Sequence, residues 1–419
     1  MPDAVIVAAA RTPIGRAYKG SLASLRPDDL TVNAVEAALA QVPSLDPQTI
    51  DDLMVGCGSP GGEQGFNLAR VVTVLLGLDA VPGTTVTRYC ASSLQTTRMA
   101  MHAIRAGEGH VFVSAGVECV SRARQGTSDN PPADPGADPR DRSRNPWRNP
   151  VFEPAQSVTG ERSASGAGQW TDPRADGQLP DIYIAMGQTA ENVAQVKGVS
   201  RRDQDEFGVR SQNLAEKAIA DGFWAREITP VELADGTVVA ADDGPRAGVT
   251  YEAVSQLKPV FRPDGTVTAG NCCPLNDGAA ALVVMSDVRA RELGITPLAR
   301  IVATGVSALS PELMGLGPVE ATRRALALAG MGIGDIDLVE INEAFAAQVL
   351  ASQRELGIDL GRLNVNGGAI AVGHPFGMTG ARISTTLINS LRTHDKQFGL
   401  ETMCVGGGQG MAMIVERLS

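Results

Sequence analysis

Cys90, His374 and Cys404 each stand beside a helix start or a glycine turn, in a chain that carries six cysteines and four histidines. Cys90 follows the β-branched run Thr84 to Thr87 and precedes a stretch where Leu94, Met101 and Ile104 recur at helical spacing. A thiol at such a strand-to-helix turn meets the positive end of a helix dipole, which lowers its pKa and favours the nucleophilic thiolate. A small cysteine packed beside a strand end fits the same residues. His374 lies between Gly373 and Pro375, shortly after the Asn366-Gly367-Gly368 turn. It reads as a general base or as an idle loop histidine. Cys404 is a second candidate thiol, ahead of Gly406-Gly407-Gly408. Consecutive glycines let backbone N–H groups approach a substrate oxygen, or simply turn the chain between two strands. Asn342 and Glu343 directly follow an apolar run at 336–341, where polar side chains point into a cleft or cap a helix. Each signal is modest alone, and a Cys, a His and a second Cys, each beside a glycine turn or a helix start, are much stronger together.

The elements that must hold these residues alternate. Strands are expected at 4–9, 53–56 and 111–116, with helices at 30–39 and 67–76, which is the pattern of an α/β layered domain. Residues 122–180 are rich in Pro, Gly, Asp, Ser and Arg and show almost no apolar periodicity. They read as a long surface excursion, a lid or binding loop, with a disordered linker as the alternative. Helices return at 189–196 and 202–221, the second with an N-cap signature at Ser200 and Asp203. From about Asp277 the alternation resumes and the end of the chain echoes its beginning, as two halves related by duplication would.

A net charge of -11 argues against a nucleic-acid or anionic-membrane surface. An anionic ligand would need local basic residues. No two cysteines form a C-x-x-C pair, so no zinc or redox motif is present, and their scatter fits a reducing, cytoplasmic compartment. The amino-terminal MPDAVIVAAARTP reads as a first strand and not as a signal peptide. No apolar run reaches the ~18 residues of a membrane span.

Several stretches carry a family resemblance. They are Arg88 to Gln95 around Cys90, Met186-Gly187 with Thr189 to Asn192, Thr268 to Asn271, Asn276 to Ala280, Asn342 to Ala346, Gly373 to Pro375, and Cys404 to Gly410. In this order, over nearly the whole chain, they resemble the thiolases, which exchange acyl-CoA through a cysteine thioester. The resemblance implies a duplicated α-β-α-β-α layered fold with an inserted loop domain. Residues 1–121 would form the first half, completed by about 276–297. Residues 122–275 would be the inserted, CoA-binding domain, and 298–419 the second half. It implies Cys90 as the acylated nucleophile, His374 as the acceptor of its proton and Cys404 as the acid/base at the α-carbon. Asn342 would hold a water that, with His374, binds the thioester oxygen. The N–H groups of Cys90 and Gly406 would form a second oxyanion hole. Arg246, Met186, Cys273, Met314, Phe345 and Phe376 would contact CoA or the acyl group. CoA and acyl-CoA are then substrates, with no prosthetic group and no metal, and the protein is expected as a homodimer or homotetramer.

The implied reaction is thiolytic cleavage of 3-ketoacyl-CoA in β-oxidation, with a dedicated acetoacetyl-CoA enzyme as the alternative and a non-catalytic acyl-CoA-binding relative as a remote one. The decarboxylating ketoacyl synthases place a histidine where Cys404 stands. Some positions depart from the family pattern. Cys272-Cys273-Pro274 replace a small residue and a serine that lies against pantetheine, Ala185 replaces a histidine, and Phe376 and Met378 are bulky. These changes bear on chain-length preference.

Overall fold

The computed structural model describes residues 1–125, 148–166 and 168–419. In the first half of the chain, β1 (Ala4–Arg11), β2 (Asp52–Cys57), β3 (Gly83–Val86), β4 (Val111–Cys119) and β5 (Asn276–Ser286) lie in the order β3-β2-β4-β5-β1. The β3/β2 and β2/β4 pairs are parallel, and β4/β5 and β5/β1 are antiparallel. Period-two alternation splits β5 between two cores. Leu282 and Val284 enter one cluster, Val283 and Met285 the other. Helices α1 (Pro27–Leu39) and α2 (Leu68–Leu75) cover the outer face, and α3 (Ser92–Ala106) covers the inner one. The helix α3 buries Leu94, Met101 and Ile104 and stops at Gly107, whose φ of 80° is the left-handed cap that a glycine adopts readily.

The connection from β4 to β5 holds α4 (Glu153–Ser165), α5 (Met186–Lys197) and α6 (Arg201–Ala220). The Ser200 hydroxyl accepts from Asp203 N–H at 3.1 Å, so the N-cap expected there forms. The region read as an irregular excursion contains α4, and this corrects the expectation. Its apolar positions Val151, Ala155 and Val158 do follow helical spacing, but intervening Pro, Ser and Gly hid the period. Pro154 sits in the first turn, where its missing N–H costs nothing. Within that excursion, 126–147 and 167 lie outside the described residues.

The second half repeats the first. Strands β6 (Ala299–Ala308), β7 (Leu338–Ile341), β8 (Phe398–Val405) and β9 (Gln409–Arg417) lie in the order β7-β8-β9-β6, again parallel at β7/β8 and antiparallel beyond. A parallel bridge from Val339 to Leu363 stands where β3 stands in the first half. Helices α7 (Gly317–Ala329) and α8 (Ala346–Leu356) cover the outer face, and α9 (Thr379–Thr393) the inner. The two sheets touch edge to edge at Val5/Arg300 and Ile6/Ala299. The result is a five-layered α-β-α-β-α fold with α3 and α9 in the middle layer. Those two helices approach closely at Gly380, where a Cβ would lie 2.2 Å from Leu94 N. No described helix is long and apolar enough to cross a membrane.

Candidate active site

Cys90 sits in a 3-10 turn, Tyr89–Ala91, between β3 and α3. Ser92 holds that turn: its Oγ accepts from Arg88 N–H at 2.9 Å and donates to Tyr89 O at 2.6 Å. Tyr89 is left-handed, with φ 44°, a conformation costly for a bulky residue and here placed directly before the thiol. The backbone N–H groups of Gly406 and of Cys90 itself point at the Cys90 sulfur. Gly406 lies against the Tyr89 ring, which a Cβ on it would meet at 3.0 Å, so the approach depends on glycine. The electrostatics correct the expectation of a lowered thiol pKa. Burial pushes the Cys90 thiol up to about 12, outweighing the two N–H contacts, and the Glu118 carboxylate adds to the rise. At rest the thiol is protonated.

His374 is 1% exposed. Its backbone N–H donates to Asn276 Oδ1 at 2.9 Å, and Asn276 Nδ2 donates to Gly15 O at 3.0 Å. The tautomer follows from Thr379 at the start of α9. With the Thr379 hydroxyl proton assigned to Pro375 O at 2.7 Å, its oxygen, 2.6 Å from His374 Nδ1, accepts from that nitrogen. Nδ1 therefore carries the proton and Nε2 presents a lone pair. Burial, reinforced by the Arg382 cation, holds the imidazole pKa down at about 3, so the ring is neutral. Asn342, which follows β7, lies against it. Its Nδ2 is 3.3 Å from Nε2 and 3.4 Å from Nδ1, too evenly placed to be aligned with the Nε2 lone pair. Among the described residues Asn342 Oδ1 is buried without a hydrogen-bond partner. Its backbone N–H donates to Thr402 O at 3.0 Å, and the next helix, α8, starts only at Ala346 with Phe345 as N-cap. Asn342 is therefore not a helix cap.

Cys404, near the end of β8, is fully buried, and burial together with the nearby Cys90 raises its pKa well above the usual thiol range. Around it packs one small apolar cluster that gathers Met314, Phe345, Met186 and Cys273. Cys273 is tied to this region by its N–H on Ala344 O at 3.1 Å, and Cys90 and Cys404 both act on its thiol. Phe376 stands apart from that cluster, with its ring edge-on to His374 at 5.2 Å. Met378, expected beside it, is buried in the middle layer against Gly278. Arg246 is exposed and lines a cleft of ≈ 180 Å³ together with Arg16, Gln212, Cys272 and Cys273.

Two positioning residues went unrecognised in the sequence. Thr379 sets the tautomer of His374, and its only signal was a hydroxyl at a helix start five residues on. Asn276 opens one of the family stretches, but its role, holding the His374 backbone from a strand of the other half of the chain, is one that no local pattern announces. Among the described residues no group of three or more His, Cys, Asp or Glu could hold a metal ion.

Comparison with known proteins agrees with this geometry. Residues 4–288 match the thiolase N-terminal domain and residues 295–417 the thiolase C-terminal domain. The chain is 43% identical, over 425 residues and the full length of both proteins, to the 3-oxoadipyl-CoA/3-oxo-5,6-dehydrosuberyl-CoA thiolase of Escherichia coli (strain K12). It is 41% identical over 434 residues, again full length in both, to the acetyl-CoA acetyltransferase of that organism. Human mitochondrial 3-ketoacyl-CoA thiolase in complex with CoA superposes with a TM-score of 0.83 at 35% identity, over 99% of this chain and 98% of that one. The chain belongs to the thiolase family of acyltransferases acting on CoA thioesters.

Proposed function

We propose that this thiolase cleaves 3-ketoacyl-CoA with free CoA, through an acyl group carried on Cys90, and that the same steps reversed join two acyl-CoA molecules. The observation that carries this reading is the meeting of Cys90 with Gly406 N–H, alongside a neutral His374 with Nε2 open and a second buried thiol at Cys404. Both Cys90 and His374 are uncharged at rest, so the proton passes from sulfur to Nε2 as sulfur attacks the keto carbon. The oxygen that gains charge in that step is met by the Cys90 and Gly406 N–H groups. The bond between the α and β carbons then breaks, and the departing enolate is held by His374 and the Asn342 site while Cys404 protonates its carbon. Free CoA finally removes the acyl group from Cys90.

The segment 122–275 serves CoA in this reading. Its support is a cleft lined both by Arg16 and Arg246, basic groups suited to phosphates, and by Val254, Leu257, Cys272 and Cys273, a less polar lining suited to pantetheine. Degradative work on acyl chains longer than acetoacetyl goes with it, as in β-oxidation, in the cytoplasm. Met378 does not oppose this, being packed in the core, whereas Phe376 against His374 favours the second reading, a dedicated acetoacetyl-CoA enzyme. A homodimer or homotetramer also belongs to the proposal, supported by the exposed apolar side chains of Phe66, just ahead of α2, and of Val74 and Leu75 at its end. Catalytic rate over Michaelis constant across a chain-length series of 3-ketoacyl-CoA decides the substrate. A steep fall directly after acetoacetyl-CoA rejects the broader reading. Sedimentation gives the oligomer.

A further inference from the structure

The helix α9 carries a polar stripe through the buried middle layer. Thr379, Arg382, Thr386 and Asn389 recur at three- and four-residue spacing, so they share one side of the helix. At one end Thr379 meets His374. At the other, Thr386 and Asn389 lie within hydrogen-bond reach of Glu227, at 3.1 and 3.4 Å. Arg382 stands between these ends and is 1% exposed. A cation there needs acceptors, and two nearby carboxylates are already engaged. Glu227 accepts from Arg11 at 2.7 Å, and Glu343 accepts from Ser211, Asn364 and Ile370 N–H. Among the described residues Nε, Nη1 and Nη2 of Arg382 have no hydrogen-bond partner.

The strands beneath α9 supply what faces it. Glu340 of β7 and Glu401 of β8 are register partners, so their side chains stand side by side, one strand spacing apart. Both lie on the inner face. Val339, Ile341 and Leu400 enter the outer cluster, while Leu338 and Met403 enter the inner one with α9. Burial pushes each of the two carboxyl groups up to about 8, so near pH 7 each mostly keeps its proton. Glu401 Oε1 accepts from Ser384 at 2.6 Å, and Glu401 Oε2 has no partner among the described residues. Asn342 comes two residues after Glu340 and continues the same face, its N–H on Thr402 O prolonging the pairing. The Arg382 charge acts on Glu340 and also on His374, the ring against which Asn342 lies. A buried guanidinium without acceptors and a buried amide oxygen without a donor are both costly. They lie on one side of β7, and water between them satisfies both, because it finds several polar partners there.

We infer that Arg382 is a positioning residue for the carbon–carbon step: through buried water it donates to Asn342 Oδ1 and so holds Asn342 Nδ2 on the His374 side, where the enolate oxygen forms. The guanidinium has only donors, so the group it meets must be the amide oxygen, and the amide cannot turn over without facing N–H against N–H. Acyl loading of Cys90 uses other oxygen-binding groups, the N–H donors of Cys90 and Gly406, and does not need this amide. The inference rests on the thiolytic reading above.

The test compares two activities of each variant. Exchange of labelled CoA into acetyl-CoA reports loading and unloading of Cys90 alone, whereas thiolysis of acetoacetyl-CoA adds the enolate step. Arg382→Gln should lower the thiolysis-to-exchange ratio about tenfold, the loss expected for one hydrogen bond from a charged group, and Arg382→Lys should restore part of it. In an Asn342→Ala background Arg382→Gln should lower thiolysis little further, because the amide it orients is gone. Equal loss of exchange and thiolysis in Arg382→Gln, or a full further loss on top of Asn342→Ala, would leave Arg382 a part of the fold only and overturn the inference. Should Arg382→Gln fail to fold, a high-resolution crystal structure of the wild type decides. Ordered water joining an Arg382 nitrogen to Asn342 Oδ1 is expected, and a dry gap or a direct Arg382–carboxylate bond overturns the inference. Wild-type thiolysis upholds the thiolytic reading whichever way these results fall. A wild type without thiolysis of any 3-ketoacyl-CoA would remove that reading and this inference with it.

Discussion

The two halves of the chain share a strand order and pairing, yet they place different residues at matching points. The middle-layer helices α3 and α9 occupy equivalent positions, each following the edge segment of its sheet. At the start of α3 stands Cys90, and just ahead of α9 stands His374. The ends of β4 and β8 differ more. In the first half Glu118 is buried and accepts from Gly58 N–H, Gly377 N–H and Gln64 Nε2, so it clamps loops of both halves together. In the second half the strand end carries Cys404, and the chain turns back at once through Gly406 to Gly408. The connection that is a short glycine turn between β8 and β9 is, between β4 and β5, the segment bearing α4, α5 and α6. Duplication thus supplied two helix starts facing one another across a middle layer. The two starts then differ, one carrying Cys90 and the other preceded by His374, and only one of the two equivalent turns is lengthened.

The sharpest way to break this comparison is Cys90→Ala. It should abolish the acyl adduct that an acyl-CoA leaves on the Cys90 peptide by mass spectrometry, and lower turnover on the order of 10^4-fold or more. An adduct found instead on Cys404, or normal turnover, would show that the nucleophile has been assigned to the wrong half.

Cys404→Ala separates the halves by step. General acid–base groups contribute about 10^2- to 10^4-fold, so condensation and cleavage should fall by that amount while the Cys90 adduct still forms. Equal loss of both half-reactions would mean that the second thiol supports the site as a whole.

Thr379→Val should reduce kcat about 10- to 100-fold, because the Nδ1–H acceptor goes and Nε2 is no longer kept deprotonated and aimed. Thr379→Ser should recover most of it. Burial lowers the His374 pKa to about 3, so the base stays neutral as pH falls through the ordinary histidine range. Wild-type kcat/KM should then show no acid limb near 6.5. A limb there, moved by the Thr379 change, would contradict the buried, neutral imidazole.

Why some of this was readable from sequence and some was not follows from range. Cys90, His374, Cys404 and Gly406 lie in short runs of glycine and helix-starting residues, and the turn that places each is encoded within a few neighbours. The alternation of strands and helices is equally local. Thr379 and Asn276 acquire meaning only when α9 and β5 fold against the His374 loop. The Cys90 pKa went the wrong way for the same reason. A helix start is visible in sequence, but the burial that outweighs it comes from packing into the middle-layer core. The helix α4 stayed hidden because it buries nothing, so no strong apolar period marked it.

Arg246 tests the other consequence of the comparison, that the lengthened connection belongs to CoA. The chain carries a net charge of -11, so a CoA phosphate approaching at random meets repulsion and needs a local basic clamp. Arg246 is exposed, its backbone N–H is fixed by Gln212 Oε1 at 2.9 Å, and it lines the same cleft as Arg16 and Cys273. An exposed charge pair contributes little, so Arg246→Ala should raise the Michaelis constant for CoA only about two- to fivefold and leave kcat close to wild type. The effect should shrink as salt is added, since the screening length falls to about 3 Å at 1 M. Arg16→Ala in combination should add to it, because both residues line one cleft. An unchanged Michaelis constant at low salt in the double variant would move the phosphates elsewhere and leave the lengthened connection without its CoA role.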